Sequence, residues 1–146
     1  MLDALSVIVE TWGKVVPGVR QRVGTADRLG VVRCGSEIVG VAAVKNPAPN
    51  YRARCFRKAA STERPEDYPL EIGWIVMHPD HREGRKISPL VADIIDLAKA
   101  RPLFATTASA AVIHMLTKGG FTLAGSTYPS DLGDETLTLL LRRPDA

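Results

Sequence analysis

The chain has 146 residues, 45% of them hydrophobic and 24% charged, with 19 Lys and Arg against 16 Asp and Glu for a formal net charge of +3. A length near the usual ~100–150 residues per domain leaves room for one core and not two, so residues 1–146 are read as a single domain. The apolar fraction excludes a disordered chain, two cysteines exclude a disulfide scaffold, and a mild, scattered basic excess does not call for a nucleic-acid partner.

The opening Met1-Leu2-Asp3-Ala4-Leu5 lacks the basic start and apolar run of a secretory signal. No segment approaches the ~18 apolar residues that span a bilayer. A cytoplasmic protein without a membrane partner is expected, its unpaired Cys34 and Cys55 in a reducing compartment.

Leu2, Leu5, Ile8, Val9 and Trp12 recur at spacings of three and four and argue for an amphipathic helix over 2–12, with Val7-Ile8-Val9 also readable as a strand; Gly13, Pro17 and Gly18 then break the pattern. Residues 29–34 and 38–44, with Gly35-Ser36 between them, predict a hairpin of two buried antiparallel strands. From Asn46 to Pro69 the chain is polar and rich in proline, which reads as a loop. Leu70 to Met77 is a strong strand; Ile87, Leu90, Val91, Ile94, Ile95 and Ala98 then mark a helix running to about Ala100. A short strand over 102–106 leads to a second helix lined by Ala108, Ala111, Val112, Met115 and Leu116, capped by Thr107 or Ser109 and ended by Gly119-Gly120. A final hairpin pairs 121–128 with 136–141, so the C-terminal half reads β-α-β-α-β-β.

The richest segment chemically is the turn from His78 to Ser88, between a buried strand and an amphipathic helix. A helix N-terminus offers unpaired N–H groups and the positive end of the macrodipole, so a turn there carrying Arg82, Gly84, Arg85 and Lys86 suits a pyrophosphate. The alternative is a solvated basic turn that only caps the helix.

This arrangement resembles the GCN5-related N-acetyltransferase (GNAT) family, in which a strand, an Arg/Gln-x-x-Gly-x-Gly/Ala turn and a helix hold the pyrophosphate of acetyl-CoA. The run Val76 to Arg82 is similar to the family's strand end, and Ser109 to Phe121 to its second-helix motif, Asn-x-x-Ala-x-x-x-Tyr-x-x-x-Gly-Phe. The likeness covers roughly residues 29–141. It departs at Lys86 and Ser88, which stand for the two glycines, at Glu83, which reads as an insertion, at Ser109, which replaces Asn, and at Leu116, which replaces a Tyr that protonates the departing thiolate.

The resemblance implies an α/β (α+β) fold with a mixed, mostly antiparallel sheet flanked by helices, and direct transfer of an acetyl group from acetyl-CoA to a primary amine, with no metal. It implies a cofactor site formed by Val76 and Met77, whose main chain would pair with the pantetheine arm, by the turn Arg82, Gly84, Arg85, Lys86, Ile87 and Ser88, and by Ser109. Glu71 occupies the position of a catalytic Glu in several members. Simple strand alternation puts it on one face with Gly73, Ile75 and Met77, and an apolar strand would raise its pKa toward that of a useful base. Tyr128 is the substitute for the missing acid, although a Tyr beside Pro129 also reads as packing.

Cys34, Cys55, His78 and His81 lack the paired spacing of a zinc site, and His114 reads as a surface histidine. The segment Tyr51 to Lys58 alternates aromatics with cations. It reads as a solvated loop bordering the acceptor pocket, and it keeps open a nucleic-acid acceptor, or a catalytically weak CoA-binding or small nucleic-acid-binding domain. Exposed strand edges leave a homodimer open.

Overall fold

The computed structural model describes residue 9, residues 19–84 and residues 87–144. The helix expected over 2–12 lies outside the described residues except for Val9, which is helical and fully buried. A short helix, α1 (Val19–Gly24), leads into the hairpin β1 (Arg28–Cys34) and β2 (Glu37–Lys45), turned at Gly35 with φ +62°. There follow α2 (Pro49–Lys58), a 3-10 turn at Pro65–Asp67, β3 (Leu70–Met77), a second 3-10 segment at Pro79–Gly84, and α3 (Ile87–Ala98). The chain closes with β4 (Leu103–Thr107), α4 (Ala110–Lys118), β5 (Thr122–Pro129) and β6 (Thr136–Arg142).

The six strands form one sheet in the order β1-β2-β3-β4-β6-β5, antiparallel throughout except where β3 meets β4. Helices α3 and α4 cover one face: Val91, Ile94, Ile95, Ala98 and Leu116 pack on Ala42, Val44, Leu70, Ile72, Leu103, Ala105 and Leu140. Val9 and Val23 cover the other face over β1–β3, and α2 covers it over β4–β6, where Cys55, Phe56 and Ala59 meet Phe104, Tyr128, Leu139 and Leu141. No helix among the described residues is long and apolar enough to cross a membrane.

Three expectations are corrected. The polar stretch after β2 contains a helix: Pro49 sits at its first position, where a missing N–H costs nothing, and Tyr51, Cys55, Phe56 and Ala59 form a buried stripe. Strand β1 lies at the sheet edge and is half-buried at most, in contrast to its partner β2. The inner face of α4 is Val112, Ile113, Met115 and Leu116, whereas Ala108 and Ala111 are exposed.

Two close approaches join the layers. Gly125, at φ +67°, lies so near the Ala59 carbonyl that a Cβ would stand 2.0 Å from its oxygen, and the next residue, Ser126, donates its N–H to that oxygen at 2.7 Å. The α2 C-terminus thus rests on an irregular stretch of β5 that only glycine permits. At the opposite side, the buried guanidinium of Arg142 donates to the carbonyls of Gly119 (2.8 Å), Lys99 (3.3 Å) and Arg143 (3.3 Å). A cation there satisfies carbonyls just past the ends of α3 and α4, where the dipole favours it. Replacing Arg142 by Met should lower stability by about 2–3 kcal/mol, read from the urea midpoint at constant m-value.

Candidate functional site

Strand β3 carries the site because its two edges are treated differently. Along β2 it is paired for nearly its whole length, from Lys45↔Glu71 to Gly40↔Met77. Along β4 it is paired only at Leu70↔Leu103 and Glu71↔Phe104, after which the two parallel strands separate.

A bulge falls just beyond that point. Val41 opposes Val76 and Ala43 opposes Gly73, so Ala42 faces both Trp74 and Ile75. Trp74 takes up the extra residue at φ +49°, a conformation that costs a bulky side chain on the order of 1–3 kcal/mol. The bulge corrects the predicted alternation. Leu70, Ile72 and Ile75 pack toward α3, and Met77 joins them beside Gly40. Glu71 shares the opposite face with Lys45, while Trp74 and Val76 pack there on Val41 and Ala43.

The register also fixes which main-chain groups are free for a ligand. His78 N–H donates to Val39 C=O at 2.7 Å, which makes Gly40↔Met77 a non-hydrogen-bonded pair and turns the amide and carbonyl of Met77 away from β2. The same alternation commits Val76 to β2 and leaves Ile75 facing the gap. Of Val76 and Met77, the register therefore turns the main chain of Met77 toward the gap and that of Val76 toward β2.

The turn is partly described. Arg82 Nε donates to Met77 C=O at 3.1 Å, tying the 3-10 segment to the end of β3 and occupying one of the outward-facing groups. Gly84 ends that segment, Arg85 and Lys86 lie outside the described residues, and Ile87 and Ser88 begin α3, with Ile87 packed on the core and Ser88 exposed. Ser109 caps α4, its Oγ accepting from Val112 N–H at 3.2 Å. Leu116 is fully buried in the core, where a tyrosine hydroxyl would have no water to meet.

Glu71, at the meeting of β2, β3 and β4, is 2% exposed. Its setting is not the purely apolar one that its strand neighbours imply. Oε1 stands 2.9 Å from Lys45 Nζ, and Oε2 accepts the Tyr51 hydroxyl at 2.9 Å. The Lys45 stem lies over Gly73, where a Cβ would come 3.0 Å from its Cδ, and the ammonium sits 4.9 Å from the centre of the Trp74 ring. Tyr128 is buried on the same face, its hydroxyl 2.6 Å from Thr106 Oγ1 on the diverged part of β4. Cys55, one helical turn on from Tyr51, is buried in the same cluster as both tyrosines.

The fold thus brings Glu71 and Tyr128 onto one face under α2, as two polar groups, Lys45-Glu71-Tyr51 and Tyr128-Thr106, with Cys55 packed among them. Lys45 and Thr106 went unrecognised in the sequence, and Tyr51 and Cys55 were read there only as part of the segment bordering the acceptor pocket. The i, i+4 spacing of Tyr51 and Cys55 was the available signal, once Pro49 is taken as a helix start. The cations of α2 are partly engaged: Lys58 and Arg54 meet Asp131 at 2.5 and 3.9 Å. His114 is exposed, as expected, and His78 and His81 stack edge to face at 5.6 Å beside a cleft of about 630 Å³ near the β1–β2 turn.

Solved structures with this fold were found, although no family model and no curated protein sequence matches the chain. Escherichia coli ElaA superposes with a TM-score of 0.63 at 14% identity, over 97% of this chain and 85% of that one. A Bacillus subtilis acetyltransferase in complex with CoA gives 0.64 at 15% identity, over 97% and 91%. A GNAT family acetyltransferase from Elizabethkingia anophelis with acetyl-CoA bound gives 0.62 at 14%, over 93% and 88%. The chain has the acyl-CoA N-acyltransferase fold of GNAT acetyltransferases, as the sequence implied.

Burial, first, and neighbouring groups push the ionisation of Tyr51, Cys55 and Tyr128 above their ordinary values. An unfolded chain releases these protons first, so the stability they contribute is complete below the ordinary thiol value and is lost as pH rises above it. Denaturation midpoints should fall from about pH 9 upward, and Cys55→Ala should flatten the first part of that decline.

Proposed function

We propose that the chain is a GNAT family member that transfers an acetyl group from acetyl-CoA to a primary amine by direct attack. The observation that carries the reading is the gap between β3 and β4. Main-chain groups of Ile75 and Met77 turn into it, the N-terminus of α3 stands at its end, and two polar side chains with proton-handling chemistry lie on one face of the strands that border it. An extended pantetheine arm, with its amides, fits such a half-paired strand edge as an added strand would. The diphosphate would lie over the first turn of α3, where Pro89 removes one donor but the other N–H groups lack intrahelical partners and the dipole favours an anion.

The amine must attack as the neutral base, lose a proton as the C–N bond forms, and displace a thiolate that gains one. Glu71 is the proton acceptor in this reading, reached through water or through a neighbouring group. Tyr128, a neutral phenol beside Thr106, is the donor to sulfur in place of the tyrosine absent at Leu116. The coenzyme brings the activated acetyl group; the protein supplies orientation and the two proton transfers.

The test is calorimetry with acetyl-CoA, followed by turnover on a panel of amines. Saturable coenzyme binding with transfer is expected, whereas tight oligonucleotide binding at moderate salt without coenzyme affinity would favour a nucleic-acid module. Glu71→Gln should lower kcat by about 10²-fold or more with coenzyme affinity unchanged, and Tyr128→Phe should lower kcat in the same way. Wild-type rates in both variants would take these residues out of the mechanism.

A further inference from the structure

Glu71 is placed so that a substrate has no direct approach to it. Its carboxylate is 2% exposed, and among the described residues the polar groups that meet its oxygens are Lys45 Nζ on Oε1 and the Tyr51 hydroxyl on Oε2. Those two neighbours differ in one elementary respect. An ammonium has three donors and no lone pair, so it cannot accept a proton on behalf of the carboxylate. A phenol hydroxyl donates one hydrogen and keeps lone pairs free to accept another.

We propose that the proton of the attacking amine reaches Glu71 through Tyr51: the Tyr51 oxygen meets the amine, and its own hydrogen passes to Glu71 Oε2. This deepens the transferase reading above and rests on it. As the amine nitrogen forms its bond to the acetyl carbon, one N–H bond breaks toward Tyr51 Oη while the Oη–H bond breaks toward Oε2. Tyr51 is neutral before and after, and Glu71 has gained one proton. The C–S bond breaks with its electron pair on sulfur, which takes a proton from Tyr128; Glu71 then discharges by the reverse path and Tyr128 recovers its proton from solvent. No other co-reactant is needed.

The geometry supports each part. Tyr51, on α2, is half-buried, whereas the carboxylate it meets is wholly enclosed, so of the two it is the more accessible. The 2.9 Å bond to Oε2 is short enough for transfer without rearrangement. Burial keeps the phenol protonated, which suits a relay and not a tyrosinate base. Lys45 acts as a positioning residue, since its ammonium holds Oε1 and leaves Oε2 to Tyr51.

Tyr51→Phe, Glu71→Gln and the double variant are compared by single-turnover acetyl transfer, with coenzyme affinity by calorimetry and near-ultraviolet dichroism as checks of fold. Each single change should slow transfer by about a hundredfold, and the double variant should be no slower than either. A second measurement needs no variant: the wild-type rate in mixtures of light and heavy water should curve downward in the manner of two protons in flight. A straight line or no isotope effect overturns the relay, as does a Tyr51→Phe rate within about twofold of wild type or a fully additive double variant. Wild-type transfer that ignores Tyr51 disposes of the relay alone. A wild type that transfers to no amine on the panel disposes of the transferase reading and the relay together.

Discussion

Strand β3 is held by hydrogen bonds on one side and released on the other, and that asymmetry is what the rest of the molecule is built around. The parallel pairing to β4 ends after Glu71↔Phe104. A regular parallel ladder would bury its main-chain groups in slanted, evenly spaced bonds and leave nothing for a ligand to pair with. Separation creates the opposite problem, a buried edge with unmet polar groups. The fold meets part of that demand itself, by aiming Arg82 at Met77 C=O.

The bulge at Trp74 follows from the same requirement. A strand leaving its neighbour must bend, and an extra residue on the paired side both bends it and increases its twist. The cost is a left-handed tryptophan, held by burial against Val41 and Ala43 and by the ammonium of Lys45 over its ring. Gly73, next to the bulge, leaves the space that the Lys45 stem fills. One irregularity therefore accompanies the gap, reverses the faces of the last four residues of β3, and sets the Trp74 ring beside the Lys45 ammonium.

Much of this was legible in the sequence because it depends on local pattern. Every strand from β1 to β6 and both C-terminal helices come from apolar periodicity, and the strand-turn-helix at His78 to Ser88 stands where the motif implied. Two things were not legible, for different reasons. The helix α2 was hidden by its prolines and arginines: Pro47 and Pro49 read as breakers although Pro49 opens the helix, and its inner stripe is short, Tyr51, Cys55, Phe56 and Ala59. The face of Glu71 was misjudged because period-two counting assumes an unbroken pleat, and nothing in Gly73-Trp74-Ile75 announces an inserted residue. Without α2 there is no Tyr51 over Glu71, so the missed helix concealed the missed half of the site.

The polar file beneath α2 is best understood by what it displaces. Phe104, Leu139 and Leu141 are a close-packed apolar interior, and a carboxylate, two phenols and a thiol placed beside it cost desolvation that leucines would not. A purely structural file would be satisfied by one ion pair, Lys45 with Glu71, which replacement by apolar side chains commonly matches in stability. Tyr51, Cys55 and Tyr128 extend it toward the diverged end of β4, where Thr106 meets the last hydroxyl. Each added group keeps its proton at neutral pH and carries both a donor and an acceptor. Such a row lies between a buried carboxylate and an open strand edge, and it packs under α2 while keeping a donor and an acceptor at each step.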